Sequence, residues 1–398
     1  MHPLLKKLSA EMADELKHIV SYWSSSGIDH EFGGFLGERD FYNAIVPQAP
    51  KGIILNSRIL WSFSAISNHL QTSEYAALCD RSFLYLKQYF LDKNYGGVYW
   101  ELDYTGKPTN LRKQVYAQAF MIYALSEYYI FSQNPAVLHW TLEIYGLIEK
   151  HANDRIYGGY TEAFARDWSV IEDMRLSEKD ANEAKTMNTH LHVLEAYTNL
   201  YRVHQDEALK NQLSFLTELF LTKFFNPKNN HFNLFFNEHW QVKGKVISFG
   251  HDIEAAWLLI EAAKVIQDKN LLFKTQEVAL KIANTFMDEA IGDDGGVCNE
   301  FNPATGIMDT DKHWWPQVEA IIGLNFAWQI SKEENYLLRA ASIWEFTKNK
   351  LIDRKNGEWH WRVNSKGEPN ISDYKMGMWK APYHNSRACI QMNKELNK

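Results

Sequence analysis

Cysteine is scarce. The 398 residues contain three, Cys79, Cys298 and Cys389, widely spaced and without a C-x-x-C pair. That spacing excludes a disulfide framework and a cysteine-based zinc site. No apolar run approaches 18 residues, so no membrane-spanning helix is expected. The N-terminal stretch MHPLLKKLSAEMADELKH carries a charge every few residues and lacks the apolar core of a secretory signal. Positive charge is in deficit: 42 Lys and Arg against 49 Asp and Glu leave a net charge of −7, the wrong sign for a surface built to hold phosphates. The expectation is a cytoplasmic protein with no nucleic-acid and no membrane partner. A G-x-S-x-G elbow and a Gly-rich phosphate loop are also missing, which argues against Ser-His-Asp hydrolysis and against nucleotide cofactors.

Aromatic residues, by contrast, are abundant. Phe, Tyr and Trp number 22, 20 and 14, or 14% of the chain. Most large rings serve as core filler; Trp and Tyr also stack on the C–H faces of sugars. Hydrophobic residues at 45% and charged residues at 23% describe an ordinary globular chain with ample material for a core. Length alone, at about 150 residues per domain, allows one large domain or two to three smaller ones.

A repeat decides among these. Gly-centred turns flanked by aromatics recur at Phe32-Gly33-Gly34-Phe35, Tyr95-Gly96-Gly97-Val98, Tyr157-Gly158-Gly159-Tyr160, Asp294-Gly295-Gly296-Val297 and Asn356-Gly357-Glu358-Trp359. Asn229-Asn230-His231-Phe232 reads as a degenerate copy between the third and fourth of these. The result is six units of roughly 62–73 residues, each with two helices and one turn or hairpin. Asp293 and Asp294 belong to such a turn. Tyr95–Trp100 followed by Asp103-Tyr104-Thr105-Gly106 reads as a β-hairpin.

The apolar periodicity predicts twelve helices over 3–23, 54–70, 73–90, 112–131, 134–151, 187–203, 206–224, 251–267, 270–289, 314–330, 333–350 and 383–395. The second, fourth, eighth and tenth are apolar on nearly every face and are therefore buried. The sixth is more mixed. The odd-numbered helices carry one apolar stripe and one charged face. Buried and amphipathic helices alternating through six pairs predict an all-α (α/α)6 barrel, with six inner and six outer helices and the Gly-bearing loops and hairpins at one end. No linker-like segment interrupts the pattern, so 1–398 reads as a single domain.

This topology should bring the N-terminal ends of the inner helices to one cavity. The polar and aromatic residues there are Arg58, Tyr116, Asn188, His190, His192, His251, Glu254, Trp314, Trp315 and His384. Arg58 lies in a strongly apolar run, where a buried cation needs an anion or several acceptors. Either a structural carboxylate holds it, or it anchors a substrate oxygen. His190 and His192 sit two residues apart, about 200° around a helix, so only one faces the cavity. His192 is the expected one, because Asn188 lies four residues before it on the same face. His251 and Glu254 are three apart and share a face. They could form half of a carboxylate metal site; the preferred reading is an imidazole positioned by Glu254. His384 sits at the start of the last helix. Converging histidines suit proton transfer in both directions near neutral pH.

Six stretches, KGIILNSRILWSFSA (51–65), YGGVYWELDYTGKP (95–108), KTMNTHLHVLEAYTNLY (185–201), SFGHDIEAAWLL (248–259), WWPQVEAIIG (314–323) and WKAPYHNSRACIQM (379–392), run nearly end to end. In these the chain resembles the N-acylglucosamine 2-epimerase superfamily, and within it the cellobiose 2-epimerase branch. The resemblance implies an (α/α)6 barrel and epimerisation at C2 of the reducing-end glucose of β-1,4-linked disaccharides, with neither metal nor other cofactor. It implies Arg58, His192, His251 and His384 as catalytic residues. It implies Tyr116, Asp180, Asn188, Glu254, Glu300, Trp314, Trp315 and Trp379 as residues that bind the sugar, with one of Trp314 and Trp315 facing it and the other in the core. A disaccharide partner and a monomer or weak homo-oligomer complete the expectation. The alternatives are a sister epimerase or a mannose-type aldose–ketose isomerase, and, from a different class, a glycoside hydrolase on the same barrel, which needs two inward carboxylates.

Overall fold

The computed structural model describes residues 2–395. Its helices are α1 (Pro3–Ser26), α2 (Ile53–Leu70), α3 (Ala76–Tyr85), α4 (Val115–Ser132), α5 (Pro135–His151), α6 (Met187–Val203), α7 (Glu207–Leu219), α8 (Phe249–Val265), α9 (Lys269–Glu289), α10 (Trp314–Ser331), α11 (Glu334–Phe346) and α12 (Tyr383–Lys394). The periodicity located all twelve. One detail differs: α3, α7 and α11 each run on into a five-residue π turn, at Leu86–Phe90, Phe220–Phe224 and Thr347–Leu351.

The even-numbered helices form a closed inner ring: α2 packs on α4, α4 on α6, α6 on α8, α8 on α10, α10 on α12, and α12 on α2. Each odd-numbered helix lies outside it, and α1 seals the ring against α12 and α11. The burial follows from the sequence. Most residues of α2, α4, α8 and α10 are buried, whereas α7 and α9 bury one stripe. Among the described residues, no helix is long and apolar enough to cross a membrane.

At one end of the ring, short antiparallel strands join the outer helices to the inner ones. The stretch after Tyr95 forms the predicted hairpin, pairing Glu101–Leu102 with Pro108–Asn110 and with Lys51–Gly52. The fourth residue of an inner helix clamps the preceding turn. Gln118 exchanges two hydrogen bonds with the Val98 backbone, and Gln317 does the same with Val297. Asp252 accepts from Phe232 N–H and His190 from Tyr160 N–H. The close approach requires glycine: a Cβ on Gly97, whose φ is +66°, would lie 2.6 Å from Gln118 Oε1.

The second and sixth residues of an inner helix, four apart, point the other way, into the ring. Tyr116, Asn188, Trp315 and His384 occupy the second position, and Arg58, His192, Glu254 and Glu319 the sixth.

Candidate active site

A cavity of about 420 Å³ opens at this end of the ring, within the size range of small-molecule sites. Arg58, Tyr116, Asn188, His192, His251, Glu254, Trp314, Trp315, Trp379 and His384 all line it, together with Asp180 from the long segment between α5 and α6. His190 does not. As the fourth residue of α6 it faces the hairpin, with Nδ1 2.7 Å from Thr186 O, and burial pushes it down to about 3. Of the two neighbouring histidines, His192 is the inward one.

Glu300 does not line this cavity. It borders a second chamber of about 360 Å³ that shares Leu176, Lys179, Asp180, Asn188, His251 and Trp315 with the first. The two chambers meet at those six residues and leave room for a ligand longer than one ring.

Arg58 has no carboxylate partner among the described residues. Its guanidinium donates to Trp379 O and Tyr116 Oη at 2.9 Å each and stacks over Phe120 and Tyr383. Its Nε is buried without a partner. This leaves a buried cation facing the cavity, which suits an incoming oxyanion.

The three inward histidines are each held through Nδ1, which leaves Nε2 for the cavity. His192 Nδ1 lies 2.9 Å from Glu195 Oε2, and His384 Nδ1 lies 2.8 Å from Glu319 Oε1. His251 departs from expectation. Its Nδ1 meets Ser248 Oγ at 2.8 Å, at the start of α8, rather than Glu254. Glu254 is committed elsewhere, accepting from Arg387 at 2.6 Å. Burial lowers His251 to about 3 and His384 well below its ordinary value, with Arg58 and Arg387 adding to the effect on His384. Both imidazoles are therefore neutral at working pH, the state a base requires.

Behind the histidines lies a charge cluster that sequence inspection did not single out. Arg387 is fully enclosed and donates to Glu195, Glu254, Glu319 and Tyr383. Burial opposes ionisation of Glu195, but Arg387 and His192 hold it at about 2. Burial and the neighbouring Glu319 raise Glu254 to about 7, so it can carry a proton near neutral pH. Glu254, Glu319 and His384 form the only grouping of metal-ligand type among the described residues. Arg387 Nη2 lies 2.6 Å from both carboxylates and supplies the positive charge there.

The two tryptophans both line the cavity but differ in burial. Trp314 is buried against Trp361, with Lys380 over its ring. Trp315 is half-buried, with its ring 4.8 Å from His251 and 5.5 Å from His384. Trp379, beside Trp100 and Tyr116, forms another wall. Trp361, which also lines the cavity, was missed, as were Glu195, Ser248, Glu319 and Arg387. The available signal for Glu319 was its sixth position in α10, the position of Arg58 in α2 and Glu254 in α8.

The sequence profile of the N-acylglucosamine 2-epimerase (GlcNAc 2-epimerase) family matches residues 34–388. A cellobiose 2-epimerase of Bacteroides fragilis is 45% identical, with 97% of this chain and 98% of that protein covered. One from Dictyoglomus turgidum is 38% identical, over 98% of this chain and all of that protein. Among solved structures, the cellobiose 2-epimerase of Bacillus thermoamylovorans B4167 superposes with a TM-score of 0.94 at 38% identity, covering 98% of this chain and 100% of the other. The chain belongs to the N-acylglucosamine 2-epimerase family, and its fold is the (α/α)6 barrel.

Proposed function

We propose that this family member inverts C2 of the reducing-end glucose of β-1,4-linked disaccharides, converting cellobiose to glucosyl-mannose and lactose to epilactose, with residues 1–398 acting as one catalytic domain. The observation that carries the reading is the placement of two neutral, Nδ1-anchored histidines, both against Trp315, in a cavity that shares its lining with a second chamber.

The chemistry follows from these groups. Opening the ring exposes an aldehyde, which acidifies the C2 proton. One of His251 and His384 removes that proton and an enediolate forms. The other returns a proton to the opposite face of C2. Arg58 and His192 stabilise the charge that develops on oxygen. Trp315 and Trp379 stack on the sugar and exclude water. Tyr116, Asn188, Asp180 and Glu254 orient the reducing-end sugar, and Glu300 serves the second ring from the adjoining chamber. The scheme requires no metal or nicotinamide, because the carbonyl itself activates the C2–H bond. Returning the proton to C1 instead would give a ketose, so slow isomerisation is the expected side reaction.

An NMR time course with cellobiose tests the substrate. Growth of a glucosyl-mannose signal supports the reading. No change with cellobiose, but turnover of free mannose or N-acetylmannosamine, moves the protein to a sister activity. Release of free glucose points to hydrolysis and discards the histidine roles.

A further inference from the structure

Four of the six turns at the site end of the ring carry a buried ion pair, one lacks both partners, and one keeps only the lysine. Asp29, Asp92 and Asp154 each sit at the start of a turn and bind a lysine just ahead of the next inner helix: Lys51 at 2.6 Å, Lys113 at 3.1 Å and Lys185 at 2.7 Å. Asp353 binds Lys375 at 2.7 Å, although this lysine stands further from its helix, α12. The fourth turn carries Asn226 and Ile247, neutral at both places. The fifth keeps its lysine, Lys312, but Gly292 stands where the others have aspartate.

Lys312 is 97% buried, and its amine has turned to a thiol. Nζ lies 3.0 Å from Cys298 Sγ, while the nearest carboxylate oxygen, Asp294 Oδ1, is 3.9 Å away. The Lys312 amine thus donates a hydrogen bond to the Cys298 sulfur, while its carboxylate partner sits at the outer limit of an ion pair, and nitrogen and sulfur lie within reach of a bond. Cys298 is buried and immediately precedes Asn299 and Glu300, which line the second chamber. The other two thiols have no such neighbour, and burial pushes Cys79 up to about 11 and raises Cys389 as well.

We infer that Cys298 and Lys312 form an oxidant-driven covalent cross-link, a reversible sulfur–nitrogen bond made in response to hydrogen peroxide. In the first step the Cys298 sulfur attacks one peroxide oxygen. An S–O bond forms, the O–O bond breaks, and the departing hydroxide takes a proton to become water. Sulfur is oxidised by two electrons to the sulfenic acid, and peroxide is reduced. In the second step the Lys312 nitrogen attacks that sulfur. The S–N bond forms, the S–O bond breaks, and the hydroxide leaves as water with a proton from nitrogen. One thiol, one amine and one peroxide become one sulfenamide and two waters. The bond ties the strand at Glu300–Asn302 to the residue that leads into Trp314 and Trp315.

Peptide mapping of the full chain after titration with hydrogen peroxide, digested without reductant, tests this. The expected product is the Cys298 peptide joined to the Lys312 peptide, two hydrogen atoms lighter than their sum and released by dithiothreitol. Cys298→Ser abolishes it. Lys312→Arg leaves Cys298 carrying oxygen, trapped by dimedone. Because a buried lysine is a hazardous position to alter, Gly292→Asp serves as a second variant: it restores the carboxylate of the other turns, draws Lys312 from the thiol and suppresses the link. Oxygen on Cys298 of the unaltered chain with no joined peptide, or no oxidation of Cys298 at all, overturns the inference. So does a link undiminished by Gly292→Asp.

Discussion

His384 Nδ1 lies 2.8 Å from Glu319 Oε1, a contact between the second residue of α12 and the sixth residue of α10. Glu319 also accepts from Arg387 and from Trp257 Nε1. It fixes which face of the imidazole is offered to the cavity, and it orients the Nδ1 proton so that Nε2 is free to act as a base. Glu319→Gln keeps the volume and removes the charge. The expected result is a fall in kcat of roughly 10²-fold with KM little changed, in line with losing a positioned acid–base group. Steady-state kinetics on cellobiose measure it.

His251 leans on a weaker support, the Ser248 hydroxyl. A neutral hydrogen bond contributes about 1 kcal/mol, so Ser248→Ala should reduce kcat by roughly 10-fold or less and leave the fold intact. A larger effect at Glu319 than at Ser248 is the ordering to look for.

Arg387 should matter to folding more than to turnover. Its guanidinium pairs with Glu195, Glu254 and Glu319 together inside the ring. Arg387→Met leaves those carboxylates buried without their counter-ion, and breaking a buried pair in this way costs about 3–5 kcal/mol. Denaturant unfolding should show a much lower midpoint, with the loss partly recovered by pairing the change with Glu254→Gln.

Stability should rise with pH through the mildly acidic range. His190 is held at about 3 by burial, against an ordinary value of 6.5. Below about 6.5 the unfolded chain takes up a proton that the folded one refuses, so stability is full above that value and is lost as pH falls toward 3. Each such histidine contributes up to about 1.4 kcal/mol per pH unit within the window. His313 and His360, both lowered to about 4 by burial, act in the same direction. Urea midpoints at several pH values between 5 and 8 measure the slope. His190→Gln, which places in α6 the residue that clamps the turn in α4 and α10, should flatten it.

The ring itself was legible because helix burial is written in periodicity: α4 and α10 are apolar all round and α7 is striped. The inward histidines were legible for a related reason, since a polar residue in an all-apolar helix has nowhere to go but a partner or a cavity. Glu195 and Ser248, each three residues from its histidine, were open to the same local reading; the partners of His384 and Glu254 were not. Glu254 and His251 share a face by spacing, yet Arg387, 133 residues away in the chain, claims the carboxylate. A contact made across the ring leaves no trace in local spacing. Glu300 shows the same limit, because its chamber is defined by strands paired from three segments. Only the repeat register carries cross-ring information, and it places Glu319 beside Arg58, His192 and Glu254.

The most direct test of the two-histidine reading is deuterium incorporation at C2, followed by NMR for the unaltered chain, His251→Ala and His384→Ala with cellobiose in D₂O. The account predicts solvent deuterium at C2 of the epimerised product from the unaltered chain, and no epimerisation by either variant, with both folded by circular dichroism. Product that retains its original C2 proton, or full turnover by both variants, would contradict it.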